Sequence, residues 1–236
     1  MAEKLTLGLC TSGSRLKVSV LDGKRFRCAQ KKVFNQETEL FATVNRLLAE
    51  AGGSLRGVGT VCAARGPGRF TGIRIALTLA GTLGALSGAE VRTATLFEVL
   101  ALQASGCAHY RRSGAGGLAV LLHAFKDEYF CQFFSAPAGG RPRADGGPVW
   151  LREAEMRALL AFRRPPYVVA DAEEAPGIYS LLPEGAARAP ASVSRVLPDH
   201  VIKAALAGRS GALKPLYLKQ AKYELENNVR PPAARR

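Results

Sequence analysis

Few residues of this chain combine the type and spacing that metal or nucleophilic chemistry requires. The three histidines, His109, His123 and His200, never lie within one helical turn of each other, and no HExxH motif occurs. A catalytic zinc site needs a cluster of such ligands. The five cysteines are odd in number, widely spaced and without a CxxC pair, which argues against a disulfide framework and against a thiolate zinc site.

Carboxylates are also poorly placed for catalysis with magnesium. The chain has five aspartates, and the first apolar run, Leu5–Cys10, contains no acidic residue. Nucleases that use two metal ions, and kinases that place Mg²⁺ from a first strand, need an acid at that position. The sequence therefore predicts a chain with no cofactor and no catalytic residues of its own.

A glycine-rich loop is the most informative segment. It reads RGPGRFTGIRIA over residues 65–76, with glycines at 66, 68 and 72 that permit turns a side chain would forbid. The loop leads into a helix N-terminus, where free N–H groups can meet an anion. It is not a P-loop, because GxxxxGK[ST] is absent and the loop contains no lysine.

The helix after this loop, predicted from Gly72 to Leu86, carries a stripe of small residues at every fourth position, including Ala76, Ala80 and Gly84. Larger apolar residues lie opposite the stripe, and a helix that is apolar on both faces must be covered on both. Either the whole helix is internal to its domain, or the stripe lets a helix of another chain approach. We expect the second, with Ala80→Glu giving a folded monomer.

The elements that must position these residues begin with three strand-like runs, and Asp22-Gly23 is a hairpin signal between the second and third. A helix follows over Leu40–Ala51, then a buried strand over Val58–Ala64 and the helix after the loop. This βββαβα order is the half-unit of ribonuclease-H-like and actin-like folds. The sequence predicts a two-lobed α/β protein of that class.

The domain boundaries follow from the same pattern. Residues 1–95 form the predicted first lobe, joined by a C-terminal helix over residues 197–223, and residues 96–196 form a second α/β lobe with glycine- and proline-rich loops such as 136–148. Residues 224–236 are predicted to be a flexible tail.

Bulk composition restricts the setting. The chain has 236 residues, 47% hydrophobic and 22% charged, and a formal charge of +14. No apolar run reaches the roughly 20 residues of a membrane span, and the first run is too short for a signal peptide, so a cytoplasmic protein without membrane contact is expected. The positive charge suits a polyanion such as RNA. A stand-alone tRNA-binding protein is one alternative function.

The loop sequence closely resembles a known signature. Residues 65–75 are similar to the GPGSFTGLRIG motif of the TsaB (YeaZ) family, Thr11-Ser12 to its DTS, and residues 215–219 (PLYLK) to its P-x-Y-L-R. The signature positions in this chain are Gly66, Pro67, Gly68, Arg69, Phe70, Thr71, Gly72 and Arg74.

The resemblance implies a cytoplasmic, non-catalytic subunit of the bacterial machinery that makes threonylcarbamoyladenosine (t6A) in tRNA. Such a subunit pairs with the catalytic paralogue TsaD and the ATPase TsaE, with tRNA as part of the complex, and forms a homodimer when alone. The expected partner interface lies on the first-lobe helix pair: Leu40, Phe41, Val44, Leu47, Leu48, Gly72, Ile73, Ala76, Leu77, Ala80, Leu83 and Gly84. The candidate RNA contacts are Lys219, Lys222 and Arg230.

Two positions depart from the family pattern. Cys10 stands where the family has a first-strand aspartate, and His123 stands where the second lobe usually has one. Both changes weaken nucleotide or metal chemistry. A metal-dependent enzyme of the actin-like fold, either a kinase or glycoprotease-like, is the other alternative, and ATP hydrolysis by the isolated chain would reveal it.

Overall fold

The computed structural model describes residues 4–137, 140–208 and 212–219. Nine strands and six α-helices occur in these ranges, with short 3₁₀ turns at Leu55–Gly57 and Ile178–Leu181. In chain order the elements are β1 (Leu5–Cys10), β2 (Arg15–Asp22), β3 (Arg25–Lys32), α1 (Gln36–Glu50), β4 (Val58–Ala64), α2 (Phe70–Ser87), β5 (Glu90–Ala94), α3 (Leu96–Ser105), α4 (Ala108–Ser113), β6 (Gly117–Phe125), β7 (Glu128–Ser135), β8 (Arg143–Arg152), α5 (Glu153–Arg163), β9 (Val168–Ala170) and α6 (Pro198–Ala207).

The first sheet has the order β3-β2-β1-β4-β5. Strands β1, β2 and β3 form an antiparallel meander, while β4 and β5 run parallel to β1. The predicted hairpin turn is confirmed, since Asp22 pairs with Arg25 and Gly23 has a φ of 57°, which glycine adopts without strain.

Alternation along β1 explains why helices cover both faces of this sheet. Leu5, Leu7 and Leu9 belong to one apolar cluster with α1 and α2. Gly8 points to the other face, where an added Cβ would lie 2.7 Å from Cγ1 of Ile202 in α6. Glycine at this position therefore lets α6 pack closely against the sheet.

The second sheet has the order β8-β7-β6-β9, with β9 parallel to β6 and the other pairs antiparallel. Met156 and Leu160 of α5 pack on one face of it. The other face joins a cluster that also contains Phe97 of α3, Ile202 of α6 and Cys10 of the first sheet. The two lobes thus share a continuous apolar core around α3.

Helix α2 has the length and apolar composition of a membrane-spanning segment. Seven of its 18 residues are buried, and those that are apolar belong to the same cluster as β1 and β4. Its position is that of a core helix that lies on a sheet.

Several predicted boundaries change. The first lobe contains a fifth strand, β5, which the βββαβα pattern omitted, and β8 occupies part of the predicted loop 136–148. The C-terminal helix predicted over 197–223 is wrong in length, because α6 ends at Ala207 and residues 212–219 contain no helix. The predicted tail at 224–236 lies outside the described residues.

Candidate functional site

A cleft of about 470 Å³ opens between the two lobes. Its walls come from the β1–β2 turn, the glycine-rich loop, the β6–β7 turn and the segment after β9. The polar and charged residues that line it are Ser12, Arg15, Lys17, Arg69, His123, Glu128, Asp171, Glu174 and Lys219. Side chains of both signs meet there, so the cleft is polar rather than uniformly basic.

The glycine-rich loop lies directly on the β1–β2 turn. The backbone N–H of Arg69 donates to the carbonyl of Ser12 at 2.8 Å, and Thr11 Oγ1 donates to the carbonyl of Gly72 at 2.5 Å. A Cβ on Gly68 would lie 2.5 Å from the Ser12 oxygen, and one on Gly72 would overlap the Thr11 carbonyl. The spacing of these glycines is therefore required by packing, and the Arg69 amide is already bonded within the chain.

The two positions that depart from the family pattern are engaged in local contacts. Cys10 is buried, with its Sγ 3.3 Å from Ser12 Oγ, and burial raises the pKa of its thiol. His123 places Nε2 2.8 Å from the Lys126 carbonyl and packs edge-on against Tyr129. A neutral buried thiol and a tethered imidazole are poor substitutes for magnesium-binding carboxylates.

An acidic segment, Asp171–Glu174, follows β9 and reaches across to the first lobe. Glu174 accepts hydrogen bonds from Ser14 N at 2.8 and 2.9 Å and from Ser14 Oγ at 2.8 Å. Glu173 Oε2 lies 2.8 Å from Lys17 Nζ, and its Oε1 accepts from Gln30. We call this set of contacts the lobe clamp.

The electrostatics of the lobe clamp differ from residue to residue. Burial alone would raise the pKa of Glu173, but the hydrogen bond and charge of Lys17 outweigh it and lower that pKa. Asp171 is 4% exposed, its Oδ1 has no hydrogen-bond partner among the described residues, and burial raises its pKa to about 6 despite the opposing charge of Lys17. A perturbed carboxylate in a cleft is a candidate functional group.

Sequence analysis missed this acidic segment. Its partners are far away along the chain, since Ser14 and Glu174 are 160 residues apart. One signal was available: Asp171 directly follows β9, and side chains at the carboxyl ends of parallel strands tend to line clefts. Within the described ranges, no group of three or more histidine, cysteine or acidic side chains is arranged to hold a metal ion.

The predicted interface residues are placed differently from the expectation. Ten of the twelve are buried inside this chain, Gly84 is half-buried, and Phe41 alone is exposed, at 52%. The small-residue stripe faces the chain's own first lobe: Gly72 lies on Thr11, and Gly84 lies against Val91 of β5. The expectation that Ala80 lies on an outer surface is wrong, because Ala80 is fully buried.

The outward surface of the helix pair, which we call the helix face, consists of other residues. It comprises Phe41, Ala42, Asn45 and Ala49 on α1, and Thr71, Arg74, Thr78, Thr82 and Ala85 on α2. Small side chains on it permit close helix packing, and the exposed side of α1 also carries the Arg46–Glu50 ion pair.

Of the candidate RNA contacts, Lys219 lies at the mouth of the cleft. Its Nζ is 2.7 Å from Glu128 Oε2 and 5.2 Å from the centre of the Trp150 ring system. Lys222 and Arg230 lie outside the described residues.

The arrangement of two sheets that flank a cleft, with helices between and around them, defines a two-lobed α/β protein of the actin-like ATPase class. A candidate N-acetylmannosamine kinase from Listeria monocytogenes shares this fold at a TM-score of 0.50 and 12% identity, over 86% of this chain and 99% of that one. The fold prediction is confirmed.

Within that class the resemblance to YeaZ is closer. YeaZ from Pseudomonas aeruginosa matches at a TM-score of 0.68 and 22% identity, over 92% of this chain and all of that one. A second P. aeruginosa structure, described as similar to peptidase YEAZ, gives 0.69 with the same identity and coverage. The chain therefore shares the fold of these YeaZ structures.

A sequence family also matches part of the chain. Residues 35–111 match the TsaD family, tRNA N6-adenosine threonylcarbamoyltransferase. This region extends from the start of α1 into α4 and contains the glycine-rich loop. No curated protein sequence gives a significant match.

Proposed function

We propose that this chain is a non-catalytic scaffold subunit of the cytoplasmic machinery that makes t6A in tRNA. It would pair with a TsaD-like catalytic subunit and a TsaE-like ATPase, and would form a homodimer when alone. One observation carries the proposal: a TsaD-family segment lies in a YeaZ-like fold whose first strand ends in a buried thiol instead of a carboxylate.

The chemistry of the cleft supports a non-catalytic role. Lys17, Glu173 and Glu174 are engaged in contacts between the lobes, and Cys10 and His123 are engaged locally. Asp171 is buried, and its Oδ1 has no hydrogen-bond partner among the described residues. A kinase would need at least one further acid beside it to hold Mg²⁺. The purified chain should turn over ATP no faster than a buffer control in a coupled assay. Turnover that Asp171→Asn abolishes would favour the enzyme alternative.

The helix face is the proposed contact for TsaD. Phe41 on this face is 52% exposed, and aromatic side chains are enriched at protein–protein interfaces. A symmetric homodimer would use the same surface, so that the homodimer and the TsaD complex would compete.

Co-expression with tagged TsaD from the same organism tests the pairing. Wild-type chain should be captured, and Phe41→Ala and Ala85→Glu should each reduce capture at least about tenfold, as expected for loss of an interface anchor. The chain provides matched controls on α5. Phe162 is also an exposed helical phenylalanine, and Ala161 lies two residues before its helix ends, as Ala85 does.

The outcome separates the alternatives. Phe162→Ala and Ala161→Glu should leave capture unchanged. Absence of capture for the wild-type chain would refute the scaffold function, and equal capture of all four variants would place the interface elsewhere.

A further inference from the structure

Four exposed aromatic side chains border the cleft, and we call them the aromatic ridge. They are Phe70, Tyr217, Trp150 and Phe125, with exposed fractions of 53%, 44%, 37% and 59%. Large aromatic side chains at a surface normally have part of their area covered, and a group of them indicates a binding site. Three of the four, Phe70, Trp150 and Phe125, also have a basic side chain near the ring.

The first half of the ridge is a stack. The rings of Phe70 and Tyr217 are 4.9 Å apart and inclined by 25°, and the Arg74 guanidinium lies 4.7 Å from the Phe70 centroid. Tyr217 is held in place because the N–H of Leu216 donates to the carbonyl of Arg65 at 2.7 Å. The stack is therefore built on a fixed backbone, although its two aromatic members are far apart in sequence.

The second half of the ridge lies across the cleft mouth on the second lobe. Lys219 Nζ lies 5.2 Å from the centre of Trp150, and Lys126 Nζ lies 5.4 Å from that of Phe125. Tyr217 and Lys219 are two residues apart, so they are at most about 7 Å apart along the chain. The segment that contains them thus connects the two halves into one surface.

The charges on this surface select a polyanionic ligand. Arg69, Arg74 and Lys126 are exposed, and no carboxylate among the described residues lies within ion-pair distance of any of them. Lys219 is the exception, since Glu128 neutralises it. Aromatic rings on which bases stack, alternating with unpaired cations that meet phosphates, are how proteins hold single strands of nucleic acid.

We propose that the aromatic ridge binds single-stranded RNA, with bases stacking on Tyr217 and Trp150 and phosphates meeting Arg69, Arg74 and Lys126. The inference rests on the proposed function for the identity of that RNA, an unpaired loop of tRNA. The proposal that the ridge binds single-stranded RNA does not depend on the proposed function, because the ridge and its charges belong to this chain alone.

Binding of the full chain to a fluorescein-labelled twelve-residue oligouridylate, followed by anisotropy across a salt series, tests the proposal. Tyr217→Leu keeps apolar bulk but removes the ring, and it should weaken binding at least about fivefold, whereas Tyr217→Phe should bind like the wild type. Arg69→Ala and Arg74→Ala should each reduce the slope of log affinity against log salt by about one.

Matched controls come from elsewhere on the surface. Phe162, 84% exposed on α5, and Arg112, exposed on α4, have the same side-chain types away from the cleft. Phe162→Ala and Arg112→Ala should change affinity less than twofold. Equal losses in these controls, or equal affinity for an RNA duplex of the same length, would overturn the proposal.

TsaD capture by Tyr217→Leu and Arg69→Ala, which change no residue of the helix face, separates this inference from the proposed function. Loss of RNA binding with capture intact supports the ridge. Loss of capture with RNA affinity intact would make the ridge a protein contact, and would overturn the inference while the scaffold function stands. If the wild type captures no TsaD yet the ring-dependent RNA binding holds, the scaffold function fails and the ridge stands.

Discussion

At the scale of single residues, Asp171 is the side chain whose environment is least compatible with its charge. It is almost fully buried, one of its oxygens is unpartnered, and its folded-state pKa of about 6 is above the ordinary value of 3.8. The folded protein therefore binds this proton more tightly than the unfolded chain. Its contribution to stability is most favourable below about pH 4 and declines as the pH rises to about 6.

Asp171→Asn should therefore stabilise the protein at pH 7.5, by up to about 3 kcal/mol. The difference from the wild type should shrink as the pH falls through 6 and disappear near pH 4, where the carboxyl group is protonated in both states. Urea denaturation at pH 4, 6 and 7.5 measures it, with the exposed Asp127→Asn as a control. A variant less stable than the wild type at pH 7.5 would show that the carboxylate makes a favourable contact that outweighs its burial.

The roles of individual side chains could be predicted only partly from the sequence. The missing first-strand acid could be read directly, because Cys10 ends a recognisable apolar strand. The partners of Glu173 and Glu174 could not, because hydrogen bonds between lobes depend on which turns the fold brings together. The Phe70–Tyr217 stack was invisible for the same reason.

At the scale of elements, prediction succeeded where a pattern has one structural meaning. Strand β4 has the predicted bounds, because a short apolar run between glycine-containing turns is typical of a buried strand. Strand β8 was missed because it contains Gly146, Gly147 and Pro148, which normally indicate a loop. It is an edge strand, and there such residues are tolerated.

Helix α2 shows a different kind of error. Its small-residue stripe is covered by the chain's own sheet and turns. The exposed side of the helix carries Arg74 and three threonines, so the prediction that both faces are apolar is only partly correct. Small residues allow a helix to approach any backbone closely, and a stripe of them does not indicate whether that backbone belongs to the same chain. The position of Gly72 against Thr11 settled the question.

Ala80→Glu should consequently unfold the protein and not give a folded monomer. Ala80 is fully buried among β1, β4 and α2, and an unpaired carboxylate there costs several kcal/mol, a large part of the usual 5–15 kcal/mol of stability. Ala85→Glu, on the exposed side of the same helix, should change stability by less than about 1 kcal/mol. Circular dichroism and thermal denaturation distinguish the two. A folded Ala80→Glu variant would contradict the burial of the stripe.

At the scale of the whole molecule, the two lobes are joined in two ways. Apolar side chains pack around α3, and the lobe clamp joins the β1–β2 turn and β2 to the segment after β9. Polar side chains from both lobes bond directly across the cleft, which favours a fixed arrangement of the two lobes.

The last prediction is that the lobe clamp fixes the relative position of the two lobes without a bound ligand. Glu174→Gln replaces a charged acceptor of the Ser14 amide and hydroxyl by a neutral one. It should lower stability by about 1–2 kcal/mol, because neutral hydrogen bonds contribute about 0.5–1.5 kcal/mol and those to charged groups about 1.5–3 kcal/mol. Hydrogen exchange should increase at the β1–β2 turn and after β9, and remain unchanged in the helix α1.

A matched control and a coupling measurement make this specific. Glu184→Gln changes an exposed glutamate of the same lobe and should affect neither stability nor exchange. Because Ser14 and Glu174 bond to each other, Ser14→Ala combined with Glu174→Gln should cost less than the sum of the two single changes. Strict additivity would mean that the hydrogen bond from the Ser14 hydroxyl contributes nothing, because Ser14→Ala keeps the amide that also donates to Glu174.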